Sequence, residues 1–443
     1  MESLINSEEG RNHMKRPIGV GRRTLLAAAV LVFASLGAQH LQAATVAVGT
    51  CVTGVVQFTT IQAAVTASPA GTTIKVCPGS YPEQVVINKM LKVTGVNSGT
   101  TYNPVVIIPA IQTGGFVANT TSLTSGHPIA AQFLVQSPAT GVVISNLTVD
   151  GSGSNLTGCN APRLIGIYYQ NASGTANSLV VRNQAQGAVD FGCQTSAGLG
   201  IFVQSGSSLT STVTISNSTV HGYQKNGITG NEVGTTVTIS GNSVVGAGPT
   251  TTAQNGIQIG FGATGKVLTN TVADDDFNGD PLAGTASGIL VFDSGNLTIS
   301  GNSVTNTQNG IPIVTDGILP ADSNTVSSNR VSNTHLGDGI DLCSNGNTVT
   351  GNIVSSSDAG GIHLDSSCGS TGNNNIVSKN TVNEACAGLL LGGGTGNTFP
   401  LPNLIFNVRN TTLAGDACTQ PEASLITESR VGTEGHKSRP ARP

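Results

Sequence analysis

Asp338, Asp341, Asp358, His363 and Asp365 fall close together on two adjacent repeats of this 443-residue chain. When the repeats are stacked on a recurring Gly-Ile pair, the position after Ile reads Thr229, Gln258, Leu290, Pro312, Asp341, His363 and Leu390. Asp341 and His363 then become neighbours on one outward face, with Asp365 two residues along the strand and Asp338, His335 and Asp358 in the preceding turns. A carboxylate beside an imidazole, with further carboxylates nearby, is equipped for general acid/base work. Paired carboxylates can also cleave a glycosidic bond. The bland alternative is a surface ion pair, which stabilises little and does no chemistry.

A second chemical signal is Asp274-Asp275-Asp276-Phe277-Asn278-Gly279-Asp280. Oxygens at Asp274, Asp276, Asn278 and Asp280, with Gly279 to turn the chain, match the first half of a looped calcium site. Thr285 stands where such a loop closes with Glu, and an exposed acidic loop between repeats is the competing reading. Calcium is the one cofactor these residues suggest. Met and His are too sparse and scattered for copper.

Such residues need a scaffold, and the repeat supplies one. Asn242, Asn270, Asn302, Asn329, Asn352 and Asn380 step by 28, 32, 27, 23 and 28 residues, and each is followed one or two positions later by Val. A Gly-Ile or Gly-Leu pair answers at 227, 256, 288, 310, 339, 361 and 388. A period of that length built from short β-rich pieces marks a solenoid. Alternation in Val237-Thr238-Ile239 and Leu297-Thr298-Ile299 sends every second residue inward. Recurring Asn at one bend predicts an amide ladder, and Gly before Ile is read as permitting a tight turn.

Composition agrees. Gly, Ser, Thr, Asn and Val dominate and only 9% of residues are charged, which suits strands joined by tight turns. A net charge of −4 leaves no basic footprint for nucleic acid. Lys15, Arg16, Arg22 and Arg23 precede the apolar run Leu25 to Leu36 and a small-residue stretch around Ala38 to Ala44. This predicts an export signal over 1–43 that is cleaved after Ala43, with no membrane span left in the mature chain. Arg22-Arg23-Thr24-Leu25-Leu26 also fits a loose twin-arginine pattern. The eight cysteines support export and imply disulfides. Because a solenoid brings only nearby coils together, the expected pairs are 51–77, 159–193, 343–368 and 386–418.

Residues 57–95 predict a short capping helix around Ile61 to Val65, with Thr59 or Thr60 as N-cap. The turn Pro78-Gly79-Ser80-Tyr81-Pro82-Glu83 and two strands follow. This stretch resembles the start of right-handed parallel β-helix proteins of the pectin lyase-like superfamily, especially pectin methylesterases. The resemblance implies a polysaccharide-directed role on an all-β, single-stranded right-handed parallel β-helix with an N-terminal capping helix. Val189-Asp190-Phe191-Gly192 echoes the methylesterase nucleophile motif, with Asp190 as the matching carboxylate. Gly337-Asp338-Gly339-Ile340-Asp341 and Ser357-Asp358-Ala359 resemble two motifs of polygalacturonases, carrying over Asp338 and Asp358. The histidine and Arg-Ile-Lys motifs of those enzymes have no counterpart here.

The expectation is thus an exported β-helix over 44–418 with a polar tail from 419 to 443, secreted, periplasmic or on the cell surface, and monomeric. It would bind or modify a polysaccharide, pectin-like or another acidic glycan. A non-catalytic adhesion or structural protein is the alternative, and the scarcity of aromatics to stack on sugar rings favours it.

Overall fold

The computed structural model describes residues 44–97, 103–110, 116–187, 192–194, 197–206, 208–279, 284–415 and 418. The expected leader over 1–43 and tail over 419–443 lie outside them. The described residues form a parallel β-helix. Strands fall into a 13-stranded and a 23-stranded sheet, paired in parallel except where Thr120–Thr121 meets Pro128–Gln136. Among the described residues, no helix is long and apolar enough to cross a membrane.

Each coil of the regular part makes three strands. One coil runs Thr235–Ser240, Ser243–Thr250 and Asn255–Gly260; the next runs Thr264–Leu268, Thr271–Phe277 and Ser287–Phe292. Coils stack in register, so that Ile215, Ile239, Val267, Ile299, Val326, Val349 and Val377 align on the first strands. These side chains join the Val and Ile of the other strands in one continuous buried core. A core of β-branched residues stacked like upon like follows from the period-2 alternation.

The turn from first to second strand holds the predicted ladder. Asn242, Asn270, Asn302, Asn329, Asn352 and Asn380 each donate from Nδ2 to Oδ1 of the Asn one coil on, at 2.9–3.0 Å, and the row ends on Asn403. Each Nδ2 also reaches a backbone carbonyl of the preceding coil, such as Asn302 to Val267 at 2.9 Å. The residue before each Asn turns the corner in the left-handed region, as Gly301 (φ 69°) and Gly351 (φ 68°) do. Ser328 and Lys379 make the same corner with a side chain.

Gly before Ile has a different role from the one predicted. None of Gly256, Gly288, Gly339 or Gly361 has a left-handed φ. Instead, a Cβ on Gly361 would stand 2.2 Å from Val382 Cγ1, and one on Gly288 would stand 2.3 Å from Val304 Cγ1. The glycines make room for the inward Val of the next coil's second strand.

The capping helix is Ile61–Ala67, with Thr60 as N-cap accepting from Ala63 N–H at 3.1 Å. Glu83 completes the cap, its two carboxylate oxygens accepting from Ile61 N and Gln62 N at 2.8 Å each. Tyr81 donates to the Cys77 carbonyl at 2.7 Å. The segment expected to be a plain turn is instead the strand Gly79–Pro82, paired with Val105–Ile108. The four disulfides are Cys51–Cys77, Cys159–Cys193, Cys343–Cys368 and Cys386–Cys418, the neighbour pairing expected of a solenoid.

Candidate active site

The third strands of successive coils present one outward face. Register pairs Thr229 with Gln258, Gln258 with Leu290, Pro312 with Asp341, and Asp341 with His363. Three residues earlier stands a second column, two residues before each Ile: Asn226, Asn255, Ser287, Asn309, Asp338 and Gly360. Asp338 holds its place in this column from the turn just before the strand Ile340–Cys343, where the sequence placed it.

Here Asp338, Asp341 and His363 converge. His363 Nδ1 lies 3.0 Å from Asp338 Oδ2 and 3.6 Å from Asp341 Oδ1. Asp338 is held in turn by Gly360 N–H, which donates to its Oδ1. A Cβ on Gly360 would stand 2.7 Å from that same oxygen, so the missing side chain is what lets the carboxylate in. Asp338, Asp341 and His363 are 8%, 2% and 4% exposed, so this is a buried ionic cluster and not the surface ion pair that was the bland alternative. Burial alone would pull the His363 imidazole down. The carboxylates of Asp338, Asp341 and Asp365 more than offset it and hold the group up at about 10. His363 is an imidazolium at neutral pH. Its Nε2, also buried, has no hydrogen-bond partner among the described residues.

Asp365 contributes charge to this cluster but spends its carboxylate on Ser367, accepting from the backbone N at 2.7 Å and from Oγ at 2.9 Å. Asp358 is exposed and accepts from Leu336 N at 3.0 Å, apart from the cluster. His335 is likewise exposed.

The acidic run at 274–280 is not an open loop through its first half. Thr271–Phe277 is a strand that sends Asp275 into the core. Asp274 Oδ1 accepts from Asn306, Asp276 Oδ1 accepts from Phe277 N, and Asn278 N donates to the Thr250 carbonyl. Among the described residues, Asp274 and Asp276 join no group of side chains close enough to share an ion. Asp280 and Asp190 lie outside the described residues.

Two features escape the sequence reading. Asp275 accepts a 2.6 Å hydrogen bond from Tyr223 inside the core, and burial first, then the neighbouring Asp274 charge, lifts its carboxyl well above the usual range. Asn226, Asn255 and Gln258 form a buried amide cluster on the outward face. The signal for the latter was the residue before each Gly-Ile pair, which is polar or small in every regular coil.

Residues 199–382 match a family model described as a right handed beta helix region. No curated protein matches the sequence. Among solved structures, the A-module of mannuronan C-5 epimerase AlgE4 from Azotobacter vinelandii is 14% identical, with 80% of this chain and 92% of that one covered at a TM-score of 0.50. A GH136 lacto-N-biosidase from Eubacterium ramulus is 11% identical, covering 82% and 67% at 0.46. The periplasmic alginate epimerase AlgG is 14% identical, covering 80% and 83% at 0.43. With its parallel coils, helical cap and ladder, this chain has the fold of a right-handed parallel β-helix.

Proposed function

We propose that this chain binds and chemically modifies a polysaccharide on the outward face of its third strands, with His363 as the acidic group. The observation that carries this is the state of His363: Nδ1 is fixed by Asp338, while Nε2 is left without a partner. A carboxylate that orients an imidazole through Nδ1 and leaves Nε2 to the substrate is a working acid/base geometry. A buried polar atom left without a hydrogen-bond partner in such a cluster is where a ligand atom would be received.

An imidazolium held at about 10 keeps its proton at neutral pH. It therefore serves as a charged hydrogen-bond donor to an oxygen gaining negative charge, such as the glycosidic oxygen of a breaking linkage. In hydrolysis that oxygen takes the His363 Nε2 proton as its bond to the anomeric carbon breaks, and water supplies the hydroxyl on that carbon. Asp341 is the carboxylate that receives water's proton and passes it back to the imidazole.

The architecture supports the reading, since a fold likeness at a TM-score of 0.50 reaches the A-module of a mannuronan C-5 epimerase. Four disulfides fit an oxidising compartment, and we place the protein outside the cytoplasm. A non-catalytic surface role has one observation in its favour: side chains as buried as Asp341 and His363 meet a ligand only if what covers them moves.

Incubating the chain with pectic, alginate and neutral glycans, with and without calcium, tests the proposal. New reducing ends, unsaturated products or altered sugar configuration, lost in His363→Gln, are expected. Turnover that survives His363→Gln, or no product from any glycan, would favour the structural role.

A further inference from the structure

Three coils before the Asp338–Asp341–His363 cluster, the same face carries the amide cluster. Asn226 Nδ2 donates to Gln258 Oε1 at 2.9 Å and to Thr229 Oγ1 at 3.1 Å. Asn255 Nδ2 donates to Asn226 Oδ1 at 3.2 Å and to Gln258 Oε1 at 3.3 Å. Gln258 Nε2 donates to Asn231 Oδ1 at 3.2 Å. Asn255 is 1% exposed, yet its Oδ1 accepts no hydrogen bond among the described residues. A fixed, buried acceptor in an otherwise satisfied network is what a sugar hydroxyl would complete.

Between the two clusters the column after Ile is apolar, reading Leu290 and Pro312, while the column before it carries Ser287 and Asn309. Leu290 packs with Phe292 and Phe261, whose rings meet edge to face at 5.4 Å. Coils stacked about 4.8 Å apart place Gln258 about 14 Å from Asp341, three coil steps along the axis. That run is long enough for several sugar units of an extended chain lying across the coils.

Charge narrows the class of sugar. Around His363 stand Asp338, Asp341 and Asp365, three carboxylates to one cation. At the other cluster the recognising groups are amides and a hydroxyl. Lys225, next to Asn226 in sequence, has its ammonium on the Ala253 carbonyl and Gln194 Oε1. A uronate carboxylate set on this face would meet an excess of like charge at short range, where repulsion is little screened.

We infer that the ligand of this face is a neutral, hydroxyl-rich glycan and not a polyuronate, read through Asn255 and Gln258 and acted on at His363. The assignment rests on the proposed function and fixes its substrate class. It runs against the acidic glycan expected from the resemblance.

Calorimetry on the chain with neutral β-glucan, xylan and mannan oligomers, polygalacturonate and alginate oligomers, and chitosan oligomers of matched length provides the test. A neutral glycan should bind about tenfold or more tighter than either polyuronate. Asn255→Ala should weaken that binding about tenfold with the thermal midpoint little changed. Should Asn255→Ala fail to fold, Asp341→Asn provides the second arm, because removing one charge should raise polyuronate affinity. Equal or tighter binding of a polyuronate, or a preference for the amine-bearing chitosan, would overturn the assignment. If a polyuronate bound and His363→Gln abolished its turnover, only the neutral class would fail and the proposed function would stand. Binding of no glycan at all would remove both.

Discussion

Exchanging Asp338 for asparagine removes the charge that holds His363 protonated. The side chain keeps its shape and an oxygen for the Nδ1–H bond, but the negative charge 3.0 Å away is gone, together with the second oxygen that accepts from Gly360 N–H. Raising the imidazole from 6.5 to about 10 amounts to about 5 kcal/mol in favour of the imidazolium, after burial has taken its share. Three carboxylates supply it, and Asp338 supplies the most. Its removal should therefore cost at least a third, about 1–2 kcal/mol, and bring the titration down to about 9 or below. Linkage sets the sign for stability. A group raised on folding stabilises fully below its unfolded value near 6.5, and that contribution is lost as pH rises through about 10. The wild type should lose several kcal/mol across that window, and Asp338→Asn should lose less. Titration of the histidine Cε1–H signals by NMR would follow the group directly, with His363→Gln assigning it among the seven histidines. A wild-type midpoint below about 8, or a midpoint in Asp338→Asn within about half a pH unit of wild type, would refute the reasoning.

Four further outcomes are expected. Asn302→Ala deletes four hydrogen bonds in the ladder interior and should cost about 4 kcal/mol in urea unfolding, whereas Asn403→Ala, at the half-buried end of the row, should cost clearly less. Gly288→Ala forces a Cβ against Val304 Cγ1 and should cost about 1–3 kcal/mol, partly recovered in the double variant with Val304→Ala. Burial raises the Asp275 carboxyl well above its usual range, so stability should fall as pH rises above its unfolded value near 3.9; Asp275→Asn keeps the Tyr223 bond and should remove that slope, which melting curves between pH 4 and pH 8 would show. Calcium titrated calorimetrically should bind no tighter than about millimolar at 274–280, since the strand turns Asp275 inward and leaves Asp274 and Asp276 on separate partners; tighter binding lost in Asp274→Asn would restore the calcium loop.

How far the molecule could be read from its residues depended on whether a position repeats. The ladder asparagines and the Val and Ile columns recur coil after coil, so periodicity alone locates them, and the disulfides follow because a solenoid joins only nearby coils. Asp341 beside His363 came from the same alignment, because stacking on Gly-Ile reproduces the register. What depends on a single coil was less legible. Stacking leaves Asp338 in its turn without showing that it reaches His363, and Asp358 joins it by proximity in sequence though its carboxylate caps Leu336 N elsewhere. The glycine rule failed for a geometric reason. Sequence shows that a side chain is absent, but only stacking shows that Val382 of the next coil fills the space. A second amide row, Asn324, Asn347, Asn375 and Asn397, was also missed, because its members lie among loops of varying composition.

The ladder has one property that bears on how such a protein can change. Its members are separated by anything from 23 to 32 residues, yet every link closes at 2.9–3.0 Å. The extra residues of longer coils are thus spent away from the ladder corner, and neighbouring coils need not register them. Each coil behaves like a tile with a fixed joint on one edge and an open margin on another. An aspartate or histidine can enter the outward column of one tile, as at Asp341 and His363, while the joints above and below remain as they were.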